Sequence, residues 1–320
     1  MNVSDFLERH FRHFNARETL AAAQSYKQFV TGGGRMMVTL AGAMSTGELG
    51  ISLAEMIRQG KVHAITCTAA NLEEDIFNLV AHDEYKIVPN WRALSAEDEQ
   101  ALLEEGFNRV TDTCIPETVM RHIEGRLMNY WQTASENRAG LMPCEFMFKL
   151  LDDPEFEQHF HVPRDDSWVA AAKDAEIPIF TPGFEDSTLG NIFAARVFDG
   201  SVMNHSAVIT GTGQMERLIR WYLDQASQSP TGFFQIGGGI AGDFPICVVP
   251  LIRQDLRKEI PLWSYFCQIS DAVTSYGGYS GAVPNEKITW EKLAIDCPKF
   301  MIQSDASIVA PLVFAYVLGW

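Results

Sequence analysis

Basic charge is scarce in this chain. Its 25 lysines and arginines stand against 41 aspartates and glutamates, a formal charge of −16. Nucleic-acid phosphates call for a basic surface, so this balance argues against a DNA- or RNA-binding role. An acidic cleft would instead concentrate a cationic substrate, although many chains are acidic only for solubility. Long apolar runs are missing too. Nothing approaches the roughly 18 uncharged apolar residues of a membrane span, and the opening MNVSDFLERHFRHFNARE mixes both charges where a signal peptide would be apolar. No membrane association and a cytoplasmic location are therefore expected. The six cysteines (Cys67, Cys114, Cys144, Cys247, Cys267 and Cys297) include no CxxC pair, which leaves neither a zinc pattern nor a disulfide framework and suits reduced thiols. The closest histidines, His10 with His13 and His159 with His161, lack acidic ligands at zinc-enzyme spacing, so no metal is expected. The first pair fits an amphipathic helix and the second a loop.

No internal repeat, low-complexity tract or Gly/Ser linker divides the 320 residues, which reads as a single domain. Short runs rich in β-branched and aromatic residues recur, each followed by small residues and then by helical periodicity. That alternation predicts an α/β fold with a mostly parallel sheet. The strand candidates are Met36 to Leu40, Val62 to Cys67, Ile177 to Phe180, Phe233 to Ile236, Tyr265 to Ile269 and Phe300 to Gln303. Helices are expected with Leu49, Leu53, Met56 and Ile57 on one face, with Ile76, Leu79 and Val80 on another, and from about Met215 to Leu223. Ser95 to Asp174 is more charged and reads as a mostly helical insertion covering the sheet.

Several strand-to-helix turns carry the small residues that let a backbone approach a pyrophosphate, though no GxGxxG fingerprint is present. Gly42 to Gly47 (GAMSTG) places Ser45 and Thr46 where hydroxyls and amides could meet phosphate. Thr68, Ala69 and Ala70 precede Glu73, Glu74 and Asp75, any of which could accept from a ribose. The triplet Gly237, Gly238 and Gly239 would let a ligand lie against a strand end. Each turn alone is equally well a tight βα connection with a capping side chain; their number favours a nucleotide crevice.

The segment from Thr274 to Leu293 is rich in Gly, Ser and Pro and closes with Trp290 two residues before Lys292. A nucleophilic lysine must be neutral when it attacks, which calls for desolvation or a nearby cation. The indole could supply an apolar wall, and Glu286 could anchor the far ammonium of a diamine. Chemistry alone favours the plainer reading of a surface loop with an exposed lysine.

Taken together, SDFLERHFRHFNARETLAAA, the STG turn at Ser45, TAANLEED at Thr68, GFNRVTDTCIPE at Gly106, IPIFTPGFEDSTLGN at Ile177, the glycine triplet, SGAVPNEKITWEKL at Ser280 and SDASIVAPLV at Ser304 resemble deoxyhypusine synthase over nearly the whole chain. The resemblance implies a doubly wound, Rossmann-like α/β fold and a homotetramer with active sites between subunits. It also implies NAD as cofactor and transfer of a butylamine group through an imine on a lysine. Lys292 matches that lysine, Trp290 its neighbouring wall and Glu286 a substrate anchor; Ser45, Thr68, Ala69, Glu74, Asp186, Gly238, Gly277, Asp305 and Ala306 match cofactor contacts. The departures fall on the amine side. The family's Lys-His-His run reads Gly242, Asp243, Phe244, an asparagine becomes Cys247, and carboxylates that help hold the amine become Asn191 and Tyr279. Asp243 either replaces the missing acid/base or caps a helix starting at Phe244 and Pro245, the spacing favouring the cap. The resulting expectation is aminobutyl transfer among small polyamines, for example to make homospermidine. The alternatives are true deoxyhypusine synthesis on a translation factor or a non-catalytic NAD or polyamine sensor.

Overall fold

Six apolar runs become the strands of one sheet: β1 (Arg35–Leu40), β2 (Ala64–Cys67), β3 (Ile179–Phe180), β4 (Thr231–Ile236), β5 (Tyr265–Ser270) and β6 (Lys299–Gln303). The computed structural model describes residues 2–274 and 277–320. All neighbouring strands are parallel, and across the sheet they run 3-2-1-4-5-6. Every residue of β4 and β5 is buried, because helices cover both faces and leave no polar side to alternate with. The register aligns Leu40 with Cys67 and Ile236, Ile236 with Ile269, and Ile269 with Ile302, so five of the strands end near one level. This is the doubly wound α/β architecture.

Local chemistry starts the helices that follow. Thr68 caps the helix Ala69–Ala81 by accepting from the Asn71 amide, and Asp305 caps Ala306–Leu318 by accepting from the Ser307 amide. The helix expected from Met215 to Leu223 runs further, Gly211–Gln228, with Leu218 and Tyr222 buried. From Ser95 to Asp174 the chain is mostly helical, with Glu117–Glu136, Pro143–Leu151 and Trp168–Asp174 as its buried pieces. It also holds two short strands, Phe107–Val110 and Thr113–Pro116, which form a small antiparallel sheet with Lys86–Ile87. The hydrophobic core is continuous from the main sheet into this stretch, through Ile123, Leu127, Trp131 and Trp168. Among the described residues no helix is long and apolar enough to cross a membrane.

Candidate active site

In an open parallel sheet, ligands bind beyond the carboxyl ends of the strands, at the point where the strand order reverses. Here that point lies between β1 and β4. The segments leaving β1, β4, β5 and β6 enclose a cavity of about 390 Å³ there, with Gly42, Gly237, Ser270, Asp305 and Ala306 in its lining. Gly42 and Gly239 have φ of +62° and +55°; a Cβ would come no closer than 4.0 Å to anything at Gly42 and would meet nothing within 4 Å at Gly239. Both expose bare backbone that a pyrophosphate could approach. Gly238 serves another purpose, since a Cβ there would fall 2.0 Å from Ser280 Oγ, whose hydroxyl accepts from the Gly239 amide. Strand order, cavity and open glycines fit a dinucleotide.

The other residues expected to meet the cofactor are mostly occupied by the fold. Ser45 is buried: its amide donates to Asn71 Oδ1, its carbonyl accepts from Asn78 and its hydroxyl accepts from Trp168 Nε1. The Thr68 hydroxyl donates to the Gly42 carbonyl, which Asn71 Nδ2 also holds at 2.8 Å. Asn71, absent from the sequence-based candidates, thus pins the lip of the crevice. Glu73 accepts from the Thr188 and Leu189 amides, and Asp75 from the Trp168 and Val169 amides and the Ser167 hydroxyl. Each carboxylate therefore closes the amino end of another helix, where N–H groups lack intrahelical partners. Among the described residues Glu74 has only a 3.3 Å contact from the Thr46 amide, and the Thr46 hydroxyl is buried with no hydrogen-bond partner. Burial raises the carboxyls of Glu74 and Asp75 to about 7. Ala69 begins its helix beside the β2 turn, and Asp186 is exposed in the turn after β3.

A second cavity, about 240 Å³, is reached by the helix that leaves the Gly237–Gly239 turn. Asp243, Cys247, Gly277, Tyr279, Glu286, Lys287, Trp290 and Lys292 line it. Lys292 is 6% exposed, and its ammonium lies 3.1 Å from Asp243 Oδ1, 5.5 Å from the Tyr279 ring centre and 5.7 Å from that of Trp290. The exposed-lysine reading is therefore replaced by a buried one. The cap reading of Asp243 also fails. Positive φ at Gly237 and Gly239 turns the chain early, so the helix spans Gly239–Ile246 and Asp243 sits inside it, free to reach Lys292. Its carboxylate also accepts a 3.5 Å contact from Cys247 Sγ.

Trp290 walls the cavity but is 62% exposed, and Glu286 is exposed at its edge. Asn191 does not line it; its amide group donates to the Glu185 and Ser187 carbonyls. Lys287 was missed altogether. It is 3% exposed, its ammonium donates to the Ala282 carbonyl and lies 4.9 Å and 5.1 Å from the Phe266 and Tyr279 ring centres. Burial, followed by the charge of Lys292, pulls its amine down to about 8. The signal available in sequence was its place five residues before Lys292 in the same apolar-walled loop. His159 and His161 line a larger cavity elsewhere with His122, and among the described residues no group of His, Cys, Asp and Glu is placed to hold a metal.

The chain thus combines a doubly wound sheet, a dinucleotide-type crevice at its switch point and a second cavity that holds two buried lysines. The chain belongs to the deoxyhypusine synthase family, a family of transferases that use NAD: the family profile matches residues 8–317. It is 28% identical to a deoxyhypusine synthase-like protein of Nostoc punctiforme, covering 100% of this chain and 80% of that one. It is 24% identical to "Probable deoxyhypusine synthase 1" of Archaeoglobus fulgidus, over 95% of this chain and 90% of the relative. In fold it is similar to the crystal structure of a protein of Entamoeba histolytica assigned as a deoxyhypusine synthase. The TM-score is 0.60 at 14% identity, covering 100% of this chain and 94% of that one.

Proposed function

We propose that this protein is an NAD-dependent aminobutyl transferase that works through an imine on Lys292 and acts on small amines, in the manner of homospermidine synthesis. The observation that carries this reading is the burial of Lys292 in hydrogen-bond contact with Asp243, in a chain whose switch-point crevice fits a dinucleotide. Bound nicotinamide would supply a reversible hydride acceptor, which makes a carbon next to nitrogen electrophilic and later restores it. Lys292 then forms a bond from Nζ to that carbon, and the original amine leaves with a proton. To attack, Lys292 must first lose a proton, and Asp243 at 3.1 Å is placed to receive it. Trp290 and Tyr279 present π faces toward the cationic adduct and keep water from one side of it. Glu286 remains at the mouth for the far ammonium of the substrate.

The altered residues favour small amines over a protein lysine. Asp243 now faces Lys292 where the family's histidine would act, and Tyr279 and Asn191 stand where carboxylates would be. A homotetramer with sites between subunits belongs to the same proposal. Apolar side chains left exposed on segments leaving the strand ends, Ile240, Val273, Trp290 and Ile308, support it, since such groups suit a protein interface. Incubation with NAD and putrescine, with and without spermidine, should yield a new triamine. Borohydride should trap the substrate on Lys292, and Lys292→Ala should abolish both signals. A Lys292→Ala protein that keeps full activity would refute the imine route.

A further inference from the structure

Forming an imine on Lys292 moves two protons, and Asp243 accounts for the first. Once Nζ has added to the electrophilic carbon, the bond to the original amine must break, and that nitrogen must gain a proton to leave. Six groups in the cavity lining can carry one: Asp243, Cys247, Tyr279, Glu286, Lys287 and Lys292. Asp243 is bonded to Lys292, which is itself the nucleophile. The Tyr279 hydroxyl donates to Gln235 Oε1 at 2.7 Å, and burial lifts it well above the usual phenol range. Burial likewise raises the Cys247 thiol, which donates to Asp243. Glu286 stays exposed at the mouth. Lys287 differs from all of these. It is 3% exposed, yet its three N–H groups share one acceptor among the described residues, the Ala282 carbonyl at 3.2 Å. Its ammonium and that of Lys292 lie over the same ring, 5.1 Å and 5.5 Å from the Tyr279 centre. The Lys292 amide also donates to the Lys287 carbonyl at 3.1 Å, which ties the two residues together.

We propose that Lys287 is a further catalytic residue, the general acid and base that gives a proton to the departing amine and takes one from the arriving amine at the Lys292 imine. The Lys287 ammonium protonates the departing nitrogen, the carbon–nitrogen bond breaks with its electron pair going to that nitrogen, and the lone pair of Lys292 Nζ closes the C=N bond. Neutral Lys287 then takes a proton from the acceptor nitrogen as it adds to the imine carbon, so each turnover returns the lysine to its starting form. Burial, followed by the Lys292 charge, outweighs the opposing pull of Glu286 and Asp243 and brings the Lys287 amine to about 8, near enough to neutrality for exchange in both directions. A proton released this readily also lets the cavity take up a cationic amine without a second fixed charge inside it. This inference rests on the reading of Lys292 as the imine-forming lysine and supplies the proton transfers which that reading requires.

The test is a single turnover with NAD and spermidine, in which the adduct on Lys292 is trapped with borohydride at intervals and at several pH values. The wild-type rate should show a falling limb near pH 8, where the acid loses its proton. Lys287→Met should slow adduct formation about a hundredfold and lose that limb, while reduced nicotinamide still appears within about threefold of the wild-type rate, because hydride transfer comes before this step. Lys287→Arg keeps the charge but holds its proton too tightly to give it up, so it should be as slow as Lys287→Met. Lys287→His should recover part of the rate, with the limb moved down toward about pH 6.5. A lysine acting only through its charge or packing would be rescued by arginine and not by histidine. Full-rate trapping in Lys287→Met, rescue by arginine, or a wild-type profile without the limb overturns the proposal, the last of these even where a variant does not fold. A wild type that forms no adduct on Lys292 sinks the imine route and this inference with it, whereas an adduct formed equally fast with and without Lys287 sinks this inference alone.

Discussion

The turns after β1 and β2 and the loop around Lys292 are both dense in polar side chains, yet they use them in opposite ways. In the first region nearly every group is already answered from within the protein: Ser45 by Asn71, Asn78 and Trp168, Glu73 by the helix at Thr188, Asp75 by the helix at Trp168. In the second, charged groups are held in an apolar setting with bonding capacity to spare. Among the described residues Lys287 has one carbonyl, Glu286 has no ion-pair partner, and Lys292 has one half-exposed carboxylate. The contrast teaches that a cluster of carboxylates marks chemistry only when the fold has not already claimed it. Buried polar groups must be paired, and pairing within the fold removes them from catalysis.

Lys292→Ala is the strongest way to break that comparison. Losing the covalent nucleophile should lower transfer by at least about three orders of magnitude while the far-ultraviolet circular dichroism is unchanged. Asp243→Asn comes next. An amide cannot take the Lys292 proton, so the turnover number should fall about a hundredfold, the scale of a lost general base. The rate of borohydride trapping should drop with it, and the melting temperature should fall as well, because the buried Lys292 ammonium loses its carboxylate. If trapping proceeds at the wild-type rate, Asp243 is only a counterion.

Much of the fold was legible in the sequence because it is local. Each of the six apolar runs became a strand, with ends shifted by two residues or fewer, and Leu49, Leu53, Met56 and Ile57 are all buried. The 3-2-1-4-5-6 order was not, since nothing in a run such as FFQI states which strand lies beside it. The small antiparallel sheet escaped because FNRV and TCIP are short and carry charge or proline. The site was legible where a side chain acts on its sequence neighbours, as with Thr68, and illegible where it acts across the fold. Glu73 and Asp75 looked like ribose ligands because the helices they close lie more than 90 residues away. Asp243 was misread because its helix starts five residues earlier than Phe244–Pro245 suggests, and Lys287 because burial of a lysine is a tertiary property.

Asp75 sharpens the structural half of the comparison. Asp75→Ala would leave two helix amides and the Ser167 hydroxyl without their acceptor, a loss of about 2 kcal/mol in urea unfolding. The pH dependence has a definite sign. Burial raises this carboxyl from the ordinary acidic range to about 7, so the folded chain holds the proton more tightly than the unfolded one. The contribution is fully present below about pH 4, the unfolded value, and is lost as pH rises through 7. Asp75→Asn, which cannot ionise, should lose that decline, so the difference between wild type and variant should shift in the variant's favour between pH 5 and pH 8. An identical slope in both proteins would show that Asp75 ionises as freely folded as unfolded.

Gly42 sits on the boundary between the two regions and gives the smallest but most discriminating effect. Its carbonyl is claimed by Thr68 and Asn71, as in the structural turn, while its α-carbon faces the crevice with open space before it. Gly42→Ala should therefore cost only the strain of a Cβ at φ +62°, about 1 kcal/mol. If the crevice holds a pyrophosphate against this backbone, the added methyl should also weaken NAD several-fold by fluorescence titration, out of proportion to the stability change. Gly237→Ala is the counterpart. Its Cβ would come 2.8 Å from that of Ala41 and disturb the strand ends themselves, so stability and NAD affinity should fall together. Loss of stability without loss of affinity at Gly42 would move that turn wholly to the structural side and place the cofactor elsewhere along the strand ends.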